Sequence, residues 1–137
     1  MLRERGHTVV AVISDAESVA NWGRSVGAAG FLPDTDWAAP VAALDVDYLF
    51  SVANLRMLGP DKLAVAKQAA INFHDGPLPR YAGIGAPVWS ILDGQREHGV
   101  SWHRMTNQAD AGAILKQRIF PIAPDEHVVS LNARCFE

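Results

Sequence analysis

Residues 70–83 read AINFHDGPLPRYAG. Ala70, Ile71 and Phe73 are apolar, so the stretch starts as a strand, and it ends in two polar side chains, Asn72 and His74. Residues two apart on an extended backbone share a face, so Asn72 and His74 point the same way. The turn Gly76-Pro77-Leu78-Pro79 follows at once. A buried strand that ends in two hydrogen-bonding side chains and then turns sharply builds a site at a sheet's edge. Taken alone, the residues also fit a plain strand end with Asn and His as turn formers.

Working outward, Asp47–Ala53 reads as a second buried strand. Asn54–Leu58 forms a loop at its C-terminal end, where α/β folds place their ligands. Gly59-Pro60-Asp61 opens a helix reaching about Gln68, with the proline near the first helical position. Nearer the N-terminus, Thr8–Ile13, TVVAVI, is apolar and β-branched like a strand buried on both faces of a parallel sheet. Leu2–Arg5 reads as the last turn of a helix, and Gly6 suits the position after a helix end. A helix feeding a parallel strand normally follows an earlier strand, and none is present. The expectation is therefore a chain truncated at both ends that lacks its first strand. Ser14 and Asp15 are expected to cap a helix over 16–26. Ala28–Leu32 is a short strand, and residues 34–44 hold a turn and a short helical piece with Trp37 packing.

Downstream, Ala86–Leu92 reads as a helix containing Trp89, stopped by Asp93-Gly94. His98–Met105 alternates, with Val100, Trp102 and Arg104 on one face and Ser101, His103 and Met105 on the other. Thr106–Gly112 is a polar loop. Ala113–Ile119 is a strand broken by Pro121 and Pro124, and Asp125 begins a last helix over 126–137. The expected fold class is an α/β, three-layer sheet, mostly parallel at the start with mixed C-terminal strands, in a single domain over 1–137.

The 137 residues are 49% apolar and 20% charged, which is a globular composition. A net charge of −3 and a pI near 5.9 give no basic stripe for general nucleic-acid binding. The lone Cys135 excludes an internal disulfide framework and fits a reducing cytoplasm. The N-terminus has no apolar signal segment, and no apolar run is long enough to span a membrane.

The side chains weighed for chemistry are Asn72, His74, Asp75, His98, His103 and Asp110. No His or Cys spacing marks a metal site. His103 reads as a packed strand histidine, His98 as a solvated strand start, and His7 and His127 are given no role. Gly-x-Ser-x-Gly is absent, and no complete Gly-x-Gly-x-x-Gly follows the first strand. Asn72, His74 and an acid remain. Asp75 would usually point away from its neighbour His74, whereas Asp110 lies in a loop of small residues, Ala109-Asp110-Ala111-Gly112. A carboxylate beside an imidazole keeps it protonated or orients it. An Asn amide beside a cationic imidazole can hold an oxyanion as it develops on a carbonyl. The trio suits acyl transfer to an amine without a covalent enzyme intermediate.

These residues fall into a wider pattern. Asn72-Phe73-His74, Leu78-Pro79-Arg80-Tyr81-Ala82-Gly83 and Asp110-Ala111-Gly112 carry it, with His74 and Asp110 separated by 110 − 74 = 36 positions. The chain resembles the catalytic domain of formyltransferases that use 10-formyltetrahydrofolate. That family acts on glycinamide ribonucleotide, methionyl-tRNA, sugar amines and carrier-bound amino acids. The resemblance is dense from Asp47 to Glu137, and it implies a Rossmann-like formyltransferase fold. It implies that Asn72 and His74 stabilise the oxyanion and that Asp110 holds His74 protonated. It implies a donor pocket at Asn54, Leu55, Arg56, Met57, Leu58, Ala109 and Gly112. The acceptor would lie near Gly76, Pro77, Leu78, Tyr81 and Gly83. It implies no metal, and an amine acceptor that is a small molecule, a sugar or a carrier-bound amino acid. Asp75-Gly76-Pro77 departs from the Pro-Ser or Pro-Gly that many members carry after the histidine. The variant resembles domains at the head of peptide or polyketide assembly lines, so a larger biosynthetic enzyme is an implied partner. The acidic pI and the missing C-terminal extension count modestly against tRNA. Hydrolysis with water as nucleophile, and a non-catalytic folate-binding fragment, stand as the alternatives.

Overall fold

The computed structural model describes residues 3–137. After a 3-10 turn at Arg3–Arg5, the elements run β1 (Ala11–Ile13), α1 (Glu17–Ser25), β2 (Ala29–Phe31), α2 (Ala38–Ala42), β3 (Tyr48–Val52) and α3 (Pro60–Leu63). Then come β4 (Ala69–His74), α4 (Ala86–Leu92), β5 (Glu97–Arg104), β6 (Ile114–Pro121) and α5 (Val128–Cys135). Strands β1 and β2 pair in parallel as one ladder, and β3-β4-β5-β6 form a second. The second ladder is parallel between β3 and β4 and antiparallel beyond.

Side-chain alternation sorts the layers. Leu49 and Ala70 face a core of Trp37, Val41, Val46 and Val65, and Ala11, Ile13 and Phe31 pack on it, so the two ladders share one core. Trp37 and Val41 are almost fully buried. Burial of side chains this size stabilises the fold by about 1.5–3 kcal/mol each. Val12 points the opposite way and lies against Gly23 of α1. On that same side, His98 bonds Ser90 of α4. Helices on both faces give the expected three layers.

Several elements are shorter than the sequence suggests. β1 takes up only Ala11–Ile13 of the Thr8–Ile13 run, because its partner β2 offers three residues and its other edge has no ladder. α3 ends at Leu63, and the chain turns back with the N–H groups of Lys67 and Gln68 on the carbonyls of Val46 and Asp47. That return seats Val65 in the core. α1 has Ala16 at its cap position with no side-chain cap. Ser14 Oγ instead accepts the Ala16 N–H, and Asp15 pairs with Arg56. β6 runs on through Pro121, which an edge strand tolerates because the missing N–H faces no neighbour. α5 begins at Val128. His127, given no role from sequence, caps it: its ring accepts the Ser130 N–H, while Ser130 Oγ accepts the His127 N–H. Of the Leu2–Arg5 turn, Leu2 lies outside the described residues, and Gly6 follows Arg5 at φ +81°. Among the described residues no helix is long and apolar enough to cross a membrane.

Candidate active site

Asn72 and His74 sit on the Ala70 side of β4. Antiparallel pairing sets His103 beside Asn72 and Ser101 beside His74. Asp110 comes from the loop between β5 and β6, with its backbone in the left-handed region at φ +50°. Its carboxylate bridges two buried imidazoles. Oδ1 lies 3.2 Å from His103 Nε2, and Oδ2 lies 3.6 Å from His74 Nδ1. Oδ2 also accepts the Gly83 N–H at 2.8 Å. Asn72 Nδ2 is 3.2 Å from His103 Nε2.

Tautomers follow from the acceptors. His74 Nε2 is 2.8 Å from the Tyr81 carbonyl, which only accepts, so Nε2 carries a proton. His103 Nδ1 meets the Arg104 carbonyl at 2.9 Å and donates there. His103 is the packed strand histidine expected from sequence, 3% exposed on β5, and its ring also lies against Asn72 and Asp110. Alternation had already put it on the Ser101 face. Only the register between β4 and β5 sets it between Asn72 and Asp110.

The turn after β4 is built around a second buried residue. Ser101 Oγ donates to the Gly76 carbonyl at 2.7 Å and accepts the Leu78 N–H at 3.0 Å. Gln117 Nε2 donates to the same oxygen and to the Leu78 carbonyl. Gly76 admits no side chain, since a Cβ would lie 2.7 Å from both His74 Nε2 and Ala86 Cβ. Of the residues expected to meet the acceptor, Leu78 is 4% exposed and belongs to the core. Pro77 is half-buried in the turn. The Gly83 N–H is committed to Asp110, and the Tyr81 carbonyl to His74. Tyr81 Oη donates to Asp93; burial first, and that hydrogen bond second, push the phenol above its ordinary pKa.

A cavity of about 110 Å³ opens beside the cluster. Asn72, His103 and Asp110 line it, and so do Asn54, Leu55, Arg56, Met57 and Ala109 from the set expected at the donor pocket. Leu58 and Gly112 do not. Leu58 packs on the Trp37 core, and Gly112 is pressed against the Arg104 carbonyl, which a Cβ would approach to 1.8 Å. Asn54 shapes the loop by accepting the Arg56 N–H and donating to the Arg56 carbonyl. Arg56 pairs with Asp15 and Asp34, tying together the loops that follow β1, β2 and β3. Leu55 and Met57 stay largely exposed and give the cavity an apolar rim. The site thus combines an amide donor, two imidazoles and one shared carboxylate beside an open apolar loop. Ser101 is consumed by the turn, and Ser51, which also lines the cavity, faces the Asn54 amide at 3.4 Å.

The fold recurs in solved structures. Glycinamide ribonucleotide transformylase 1 from Symbiobacterium toebii superposes with a TM-score of 0.85 at 22% identity, over 98% of this chain and 71% of that one. Phosphoribosylglycinamide formyltransferase from Streptococcus pneumoniae TIGR4 gives 0.79 at 20% identity, over 98% and 82%. A sugar N-formyltransferase from Shewanella sp FDAARGOS_354 gives 0.70 at 21% identity, over 90% and 48%. The family model described as formyl transferase matches residues 3–137, nearly the whole chain, including both strands that carry the cluster and the loop that carries Asp110. On that match the chain belongs to the formyl transferase family.

Proposed function

We propose that the chain moves a formyl group from 10-formyltetrahydrofolate to a primary amine, with Asn72, His74 and Asp110 as the catalytic residues. The observation that carries this is the Asp110 carboxylate lodged between His74 and His103, with Asn72 against the same His103 and the 54–57 loop across the cavity. The donor's ring system lies in that cavity, against Leu55 and Met57. The amine nitrogen attacks the formyl carbon, and the carbonyl oxygen becomes an oxyanion. The Asn72 amide and the His74 N–H stabilise it, as preorganised donors do where charge develops. His74 Nε2–H rests on the Tyr81 carbonyl, so the stronger acceptor that forms during reaction draws this proton to itself. Asp110 takes the proton that the amine loses. The bond to the donor's N10 then breaks, N10 regains a proton, and an N-formyl amine and tetrahydrofolate leave. His103 keeps Asp110 and Asn72 in place. The acceptor is a small-molecule, sugar or carrier-bound amine.

The test incubates the chain with 10-formyltetrahydrofolate and a panel of amines and follows N-formyl product and free formate by mass spectrometry. Transfer to an amine supports the reading. Formate released at the same rate with and without amine replaces it with hydrolysis. In His74→Ala, turnover falls by at least about a hundredfold, the usual loss for one such donor, with folate affinity kept within a few-fold. A variant that keeps most of its rate removes His74 from the mechanism.

A further inference from the structure

A second cavity, of about 310 Å³, lies on the other side of the turn that follows β4. Pro87 and Val88 of α4 wall it on one side, Val128, Val129 and Asn132 of α5 on the other, and Asp75 completes it. At this size it sits at the small end of ligand pockets, roughly 300–1,000 Å³, and suits a short body. Its walls are apolar except at Asp75 and the Asn132 carboxamide. The Asp75 carboxylate is 28% exposed and accepts no hydrogen bond among the described residues. Its Oδ1 lies 3.9 Å from His74 Nδ1. Asp110, by contrast, is fully committed to His74, His103 and Gly83.

The backbone under Asp75 is fixed from below. His98 Nε2 donates to the Asp75 carbonyl at 2.8 Å, and His98 Nδ1 is 2.7 Å from Ser90 Oγ. His98 and Ser90 are both 0% exposed. Burial lowers the His98 pKa, which keeps the ring neutral and its single N–H on Asp75. A buried pair thus holds an uncommitted carboxylate at one position, next to the reacting histidine and facing an apolar hollow.

We infer that this hollow is the acceptor subsite, that Asp75 is its specificity-determining residue, and that it takes primary amines with a short apolar body. The inference rests on formyl transfer as the reaction. A ligand matching both features carries a cation and an apolar group; the acceptor amine arrives as an ammonium and gives one proton to solvent before its lone pair attacks. Pairing that ammonium with Asp75 sets its nitrogen beside His74, while the body lies against Val88, Val128 and Val129. Sugar amines satisfy the carboxylate and Asn132 but not Val88, Val128 and Val129.

The test uses ¹⁵N-labelled full chain titrated with 3-methylbutylamine, and with 3-methylbutan-1-ol as the uncharged isostere. The expected result is saturable shifts at Asp75, Val88, Val128 and Val129 with the amine, and at least about tenfold weaker binding of the alcohol, the usual scale for a charge-assisted contact. Asp75→Asn, isosteric and at a partly exposed position, brings the amine down to the alcohol's affinity. Amine shifts elsewhere, equal affinity of amine and alcohol, or unchanged binding in Asp75→Asn would each overturn the inference. Because no folate is present, loss of folate binding counts against the proposed donor and leaves this result standing.

Discussion

Replacing Asp110 by Asn removes one negative charge and keeps the shape. The Asp110 and His74 side chains are 12% and 6% exposed, so solvent screens the pair little. At an effective dielectric of about 20, unit charges at the observed 3.6 Å interact by about 4.6 kcal/mol. Each 1.36 kcal/mol is about tenfold in rate, so with His74 acting as a cation Asp110→Asn loses about a thousandfold in kcat/KM. The amide oxygen still accepts the Gly83 N–H, so the loop keeps its tie. Removing one partner of a buried pair also destabilises the fold, by up to about 3–5 kcal/mol, so rates are compared well below the variant's Tm. The assay is formyl transfer under saturating donor, with folate affinity and thermal melting measured on the same sample. Retention of more than about a tenth of the rate, with an unaltered melt, would refute the shared-carboxylate argument.

Three further outcomes follow from the packing. Gly76→Ala drives a Cβ into His74 Nε2 and Ala86, which costs about 1–3 kcal/mol and misplaces the histidine; urea denaturation and activity should both fall, and a variant with wild-type values would remove the crowding argument. Ser101→Ala removes the hydroxyl that ties the Leu78 N–H and the Gly76 carbonyl to β5 and leaves them only their direct 3.1 Å contact, so the urea midpoint should drop by the equivalent of about 1 kcal/mol. An unchanged midpoint would show that the turn stands without its hub. The buried, neutral His98 makes stability depend on pH. Its folded pKa lies below the ordinary value near 6.5, so below that pH the unfolded chain takes up a proton that the folded chain refuses. The contribution is complete above about pH 6.5 and lost as the pH falls from there. Melting at pH 7.5 and pH 5.5 should show a steeper loss in the wild type than in His98→Gln; equal slopes would contradict it.

The strand over 69–74, its two polar ends, α4 and the 54–58 loop were legible because each is written in local chemistry: β-branched or apolar runs, turn residues and an Asp-Gly stop. Asn72 and His74 sharing a face needed only the two-residue period. The parts that were not legible depend on distant partners. His103 joins the cluster through the antiparallel register with β4, and Ser101 acquires its role from the turn beyond β4. Leu58 and Gly112 fall outside the cavity for the same kind of reason, one drawn into the Trp37 core and the other pinned on the Arg104 carbonyl. His127 and the early end of α3 were missed because capping and chain return were decided by Ser130 and by the Val46 and Asp47 carbonyls.

The most direct measurement is a calorimetric titration of the purified chain with 5-formyltetrahydrofolate, a stable relative of the proposed donor. The account predicts saturable, micromolar binding that Met57→Asp, at the apolar rim of the cavity, weakens at least about tenfold, as expected for a charge set against an apolar ring. A chain that melts cooperatively yet binds no folate would contradict it.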